Sequence, residues 1–181
     1  MEETRIVNLF GGPGVGKSTR MGEIFAKLKK DDITVEMAPE YAKEMVWQEE
    51  TPNILNNQIH IFGVQQNRIH RLLGKVDVAV TDAPLMNSIL YDSTGNEHFH
   101  KLVYNQFKSL NNINIFLERT TGQYETYGRM HDEKSAKEID EELKEILTNY
   151  SISYYRFLMD ADKKDIFESV YENLPGVNNN L

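Results

Sequence analysis

Gly11-Gly12-Pro13-Gly14-Val15-Gly16-Lys17-Ser18-Thr19 is the stretch on which the reading of this chain turns. It fits G-x-x-x-x-G-K-S, the pattern of a phosphate-cradling loop. Apolar, β-prone residues precede it: Ile6, Val7, Leu9 and Phe10. Met21, Ile24, Phe25 and Leu28 follow at the i, i+3, i+4, i+7 spacing of an amphipathic helix. Strand, glycine loop and helix form the context in which consecutive backbone N–H groups curl into an anion nest. The helix beginning near Gly16 adds the positive end of its dipole. In such a loop Lys17 reaches the β- and γ-phosphates, and the Ser18 hydroxyl holds Mg²⁺. The alternative, a turn that only joins strand to helix, does not require all the fixed positions found here.

Outward from the loop, apolar runs and breakers alternate. Strands are expected at 4–10, 33–38, 76–81, 113–117 and 155–159. Helices are expected at about 16–30, from Pro39-Glu40-Tyr41 to about Glu50, over 54–73, after Pro84, and around Phe99–Leu110. Two more follow, at Ile139–Tyr150 and from Asp162 to Leu174. Within 54–73, Leu55, Ile59, Phe62, Ile69 and Leu73 lie on or near one face, and Thr51-Pro52-Asn53 separates this helix from the one before. Alternating strands and helices imply an α/β fold: a doubly wound, five-stranded parallel sheet with helices on both faces. Crossovers are right-handed, and ligands sit beyond the carboxyl ends of the strands. With no repeat and no linker, the whole of 1–181 is expected to be one domain, with a short lid at about 119–134.

Composition narrows the function classes. A net charge of −8 is repelled by a phosphate backbone, which disfavours DNA as a partner. The chain has no cysteine, so disulfides and thiolate metal sites are excluded. No apolar run suggests a signal peptide or a membrane span, and the expected location is the cytoplasm. Composition leaves the oligomeric state open, a homodimer included. His98 and His100 stand two apart, off a common helix face, and no structural metal is assigned.

The residues just past the strands carry the candidate chemistry. Asp82 ends the third strand, where a carboxylate facing the loop holds Mg²⁺. Its alternative role is to cap the helix after Pro84. Glu40 follows the second strand, where it can orient an acceptor hydroxyl and take its proton; the alternative is a first-turn glutamate complementing a helix dipole. Arg119 and Arg129 bracket a polar segment containing Gly122 and Gly128. They suit a flap that stabilises charge on a transferring phosphoryl group, or else pair with Glu118, Glu125 or Asp132. Gln65, Gln66, Asn67 and Arg68 interrupt an apolar helix face. They suit recognition of a base or phosphate, or form a solvated strip. Tyr41 and Trp47 either wall a substrate pocket or belong to the core.

Absent motifs separate the enzyme classes. Ala83 and Pro84, and no glutamate, follow Asp82, which argues against motor and AAA-type ATPases. No N-K-x-D element is present for a GTPase, and Asp92-Ser93-Thr94-Gly95 is poorly placed as a D-x-x-G. The chain resembles the small P-loop kinases of nucleosides and nucleotides, of the deoxynucleoside kinase and nicotinamide riboside kinase types, together with virus-encoded P-loop kinase-like proteins. The residues that carry the resemblance are Gly11 to Thr19, Glu40 with Trp47, Phe62 with Gln65 to Arg68, Asp82, and Arg119 with Arg129. The acid-Arg-Ser triplet of deoxynucleoside kinases is replaced by Asp82-Ala83-Pro84. The resemblance implies an ATP- and Mg²⁺-dependent kinase. The loop from Gly11 to Thr19 would bind the nucleoside triphosphate donor, and Ser18 and Asp82 the metal. Lys17, Glu40, Asp82, Arg119 and Arg129 would act in transfer, while Glu40, Tyr41, Gln65 and Arg68 face a nucleoside- or nucleotide-like acceptor. Two alternatives are a kinase of hydroxymethylated pyrimidines in DNA, with His70-Arg71 and Lys75 as its basic strip, and a regulatory ATPase with no acceptor.

Overall fold

Five parallel strands lie in the order β2-β3-β1-β4-β5, where β1 is Arg5–Phe10, β2 Val35–Met37, β3 Val78–Thr81, β4 Asn111–Glu118 and β5 Tyr155–Leu158. The computed structural model describes residues 3–48, 55–120 and 133–174. The helices are α1 (Lys17–Lys30), α2 (Tyr41–Trp47), α3 (Gln58–His70), α4 (Asn87–Leu90), α5 (Glu97–Lys108), α6 (Glu133–Asn149) and α7 (Lys163–Tyr171). The fold is the expected α/β architecture, a parallel sheet with helices on both faces.

Alternation along the strands divides the core in two. Val7, Leu9, Val78, Val80, Ile113, Ile115 and Leu117 pack with Met21, Ile24 and Leu28 of α1 and Ile166 and Val170 of α7. Ile6, Phe10, Ala79 and Phe116 face the other way, toward Phe62 and Ile69 of α3, Phe99 and Val103 of α5 and Leu143 and Leu147 of α6. Both faces are covered, which is why these strands read as nearly continuous apolar runs.

Polar residues fix the β1–β4 register. Asn8, 1% exposed, sits opposite Asn114 in that pairing. Its side-chain amide donates to the Asn112 Oδ1 at 2.8 Å and to the Asn114 Oδ1 at 3.1 Å. A slip of one residue would turn these amides away from one another and leave buried groups unpaired. The register carries Phe10 opposite Phe116, so the loop that follows β1 starts beside the end of β4.

Several boundaries differ from expectation. The third helix begins at Gln58 because Asn57 caps it, its side chain accepting from the His60 N–H at 3.2 Å. Ile61 and Phe62 therefore face inward, and Ile59, expected on the apolar face, is 65% exposed. β2 is shorter than 33–38, since Ile33 N–H closes the turn after α1 on the Leu28 carbonyl and Thr34 is held by the Asp77 carboxylate. α2 starts at Tyr41, leaving Pro39 and Glu40 outside it. Residues 49–54 and 121–132, which include Thr51-Pro52-Asn53, Gly122, Gly128 and Arg129, lie outside the described residues.

Candidate nucleotide site

The loop leaves β1 through Gly11 at φ 130° and enters α1 through Gly16 at φ 81°, conformations that side chains resist. A Cβ on Gly11 would meet the Leu117 carbonyl oxygen at 2.7 Å. Gly16 provides no side-chain cap for α1, so the first N–H groups of that helix stay directed at the loop. Val15 is fully buried in the core beneath, while Ser18 and Thr19 are exposed.

Lys17 folds back along the loop. Its Nζ donates to the Gly11 carbonyl at 2.7 Å and to the Gly12 carbonyl at 2.8 Å. Burial pushes this ammonium below its ordinary value, and Arg119 acts in the same direction. Glu40, Asp82 and Asp140 oppose them. The charge of Lys17 is thus supported by three carboxylates.

β3 pairs directly with β1, and this adjacency brings Asp82 to the loop. The Ser18 hydroxyl donates to the Asp82 Oδ2 at 2.6 Å, and the Glu40 N–H donates to the Asp82 Oδ1 at 3.0 Å. Asp82 is 3% exposed and caps no helix, since α4 begins later on a Pro84–Asn87 turn. A hydroxyl and a carboxylate of this kind are the oxygen donors that suit Mg²⁺, so the pair fits the ion that a phosphate loop requires. Among the described residues there is no group of three or more acidic or imidazole side chains able to hold a metal alone.

Glu40 occupies the N-cap position of α2 but makes no capping hydrogen bond. Burial raises its carboxyl above the ordinary glutamate range, as does Asp82, while Lys17 pulls it down. Tyr91, just after α4, was not anticipated as part of this region. Its phenol is pushed up to about 12, by burial first and then by Glu40, Asp140 and Glu142.

The polar strip on α3 is engaged with the protein. Gln65, 4% exposed, accepts from the Tyr41 N–H at 3.1 Å and donates to the Ala38 carbonyl at 3.2 Å and the Thr81 hydroxyl at 3.3 Å. It therefore ties the ends of β2 and β3 to the start of α2. Arg68 donates to the Pro39 carbonyl at 2.9 Å, pairs with Glu44 and lies over the Tyr41 ring. The Tyr41 hydroxyl meets the His60 ring at 3.0 Å. Trp47 is neither core nor enclosed, being 65% exposed. Asp92 is bound by the turn that follows it and by α5, accepting from Thr94, Asn96 and His100.

Arg119 sits at the end of β4 with its side chain 6% exposed. Its Nε donates to the Asp140 Oδ2 at 3.0 Å and its Nη2 to the Pro13 carbonyl at 2.7 Å. The other Asp140 oxygen, Oδ1, accepts from the Gly12 N–H at 2.5 Å. None of the acids weighed from the sequence as partners of Arg119 is Asp140. A signal was present: Ala136, Asp140, Leu143 and Leu147 follow the spacing of one helix face, and all four are buried. A lone carboxylate on an apolar stripe needs a partner.

The loop, the Ser18–Asp82 pair beside it and the parallel sheet define a P-loop nucleotide-binding protein. The family comparison agrees: the model of the AAA domain matches residues 6–162, and the chain belongs to that family of P-loop NTPases. The match overturns the exclusion of AAA-type proteins drawn from the residues after Asp82, although these remain Ala83 and Pro84. A family's membership is broader than one variant of its water-activating residue. No curated protein matches the chain. No described helix is long and apolar enough to cross a membrane.

Proposed function

We propose that this P-loop protein is an ATP- and Mg²⁺-dependent kinase that transfers the γ-phosphoryl group to a hydroxyl of a nucleoside- or nucleotide-like acceptor. The observation that carries the reading is Glu40. It is hydrogen-bonded through its backbone to Asp82, its carboxyl has a raised proton affinity, and no helix uses its side chain as a cap. A group with those properties beside the phosphate loop suits the task of orienting a hydroxyl and accepting its proton. The residues that follow Asp82, buried Ala83 and Pro84, offer no carboxylate for activating water.

In this reading the loop N–H groups and Lys17 bind the triphosphate, and Ser18 and Asp82 hold the metal. Mg²⁺ bound there neutralises charge developing on the phosphate oxygens. Arg119 holds the loop through Pro13 and Asp140, and Arg129 is the candidate arginine of the lid segment. Tyr41, Gln65 and Arg68 are the residues this reading assigns to the acceptor side of Glu40. Since Gln65 is fully engaged within the protein, its contribution there is to hold the backbone around Glu40.

The second reading is a P-loop ATPase with no acceptor, favoured by membership of the AAA domain family. Here Glu40 would act on water instead of a hydroxyl. The test is incubation with γ-labelled ATP and Mg²⁺ against nucleosides, mononucleotides and DNA containing hydroxymethylated pyrimidines. Label in a small molecule supports the kinase, and label in DNA moves the acceptor to a polymer. Release of free phosphate alone overturns the kinase in favour of the ATPase.

A further inference from the structure

We infer that Asp140 and Arg119 form a positioning pair that sets the shape of the phosphate loop, and that Arg119 acts through the loop and not by touching the transferred phosphate. The inference rests on the nucleotide-binding reading of the loop and adds to it a residue that the motif does not contain.

Three consecutive loop residues are held by the pair or by Lys17. The Gly11 and Gly12 carbonyls accept from Lys17, the Gly12 N–H donates to Asp140, and the Pro13 carbonyl accepts from Arg119. Asp140 uses one oxygen for the loop and the other for Arg119, so the two contacts to the loop share one rigid fork. Both side chains are nearly excluded from solvent, at 6% for Arg119 and 9% for Asp140. An ion pair so buried is costly to separate, because either partner alone would be an uncompensated charge. That cost opposes a role in which Arg119 leaves Asp140 in every turnover.

Packing at Gly12 indicates the same role. A Cβ there would meet the Asp140 Oδ1 at 2.7 Å and the Ala136 carbonyl at 2.8 Å. The loop backbone therefore lies against α6 with no room for a side chain. The first half of the loop is shaped from outside by α6, as its second half is shaped by the start of α1. With these carbonyls held by Lys17 and Arg119, the course of the loop backbone is fixed before an anion arrives.

The pair is tested on the full chain with Asp140→Asn and Arg119→Lys, with Arg156→Ala as a control that removes an ion pair to Glu118 away from the loop. Calorimetric titration with ADP and with Mg·ATP gives affinities, steady-state rates give kcat and KM, and NMR follows the Gly12 amide proton. The expected result is an upfield move of that amide in Asp140→Asn. Affinity for ADP and ATP falls about tenfold by the same factor in both loop variants, with kcat little changed. The control leaves both affinities as in wild type. Unchanged affinity in folded Asp140→Asn protein overturns the proposal, because the pair is then only a scaffold. Loss confined to kcat, or to ATP over ADP, also overturns it, because Arg119 then acts on the γ-phosphate. Failure of the wild-type protein to bind either nucleotide sinks the nucleotide reading and this inference with it. The amide shift would still report whether the contact exists.

Discussion

Ser18 and Asp82 meet through a 2.6 Å hydrogen bond although they belong to the start of α1 and the end of β3. Direct pairing of β3 with β1 brings them together. The contact brings together two oxygen donors of the kind that a hard cation takes. Ser18→Ala and Asp82→Asn are each expected to lower the rate at fixed Mg²⁺ by roughly 10–100-fold. ADP affinity without metal should stay near wild type. Titrating activity against Mg²⁺ checks this, and an unchanged metal requirement in both variants would remove the assignment.

Glu40 offers a pH signature. Its folded pKa is raised, so the carboxylate needed as a base appears only above the ordinary glutamate range, and transfer should fall as pH drops through that raised value. The stability sign is the reverse. A raised carboxyl favours the folded state below its unfolded pKa, and this contribution is lost as pH rises through the folded pKa. Glu40→Gln should therefore lose transfer by roughly 10²- to 10⁴-fold while melting no lower than wild type at pH 8. Rate–pH profiles and thermal melts of the two proteins decide it. Retained transfer to the acceptor would make Glu40 structural.

Gly12 tolerates no side chain against α6. Gly12→Ala is expected to destabilise the protein by about 1–3 kcal/mol through forced displacement of the backbone. It should also weaken nucleotide binding more than Gly22→Ala, where an added Cβ meets nothing within 4 Å. Denaturant melts and ADP titration of the two variants provide the comparison.

Gln65 and Arg68, neighbours on one helix, should separate cleanly. Truncating Gln65 leaves the Tyr41 N–H, the Ala38 carbonyl and the Thr81 hydroxyl without their partner. Gln65→Ala should cost about 1–3 kcal/mol. Arg68→Ala opens a contact with half-exposed Glu44 and should cost under about 1 kcal/mol. If Arg68 faces the acceptor, its removal raises the acceptor KM while lowering the melting temperature less than Gln65→Ala does. A KM unchanged in Arg68→Ala would take Arg68 off the acceptor side.

The residues that were legible in the sequence are those whose role is local. The glycines, Lys17 and Ser18 act through backbone geometry within one loop, and the strands announce themselves because both sheet faces are buried. Asp82 was legible because its position at a strand end is itself local. Gln65 was noticed for its chemistry, but its partners come from β2, β3 and α2, and no helix periodicity reveals three such contacts at once. Asp140 stands among Glu138, Glu141 and Glu142, and only its place on the apolar stripe of Ala136, Leu143 and Leu147 sets it apart in the sequence. Its partners, Gly12 and Arg119, come from distant parts of the chain, and no helix periodicity reveals them. The apolar spacing continues upstream of Asn57 and so suggests an earlier start for α3, while the cap decides where the helix begins.

Lys17, bonded to the Gly11 and Gly12 carbonyls, makes anion capture an exchange and not an addition. The same ammonium is less basic than an ordinary lysine because it is buried. A polyphosphate arriving beside it restores that basicity, so complex formation takes up a proton from solution as pH rises toward the lowered value. Ligand capture and alkalinity are thus antagonists. The heat of binding should depend on the ionisation enthalpy of the buffer increasingly as pH rises, and Lys17→Met should lose that increase.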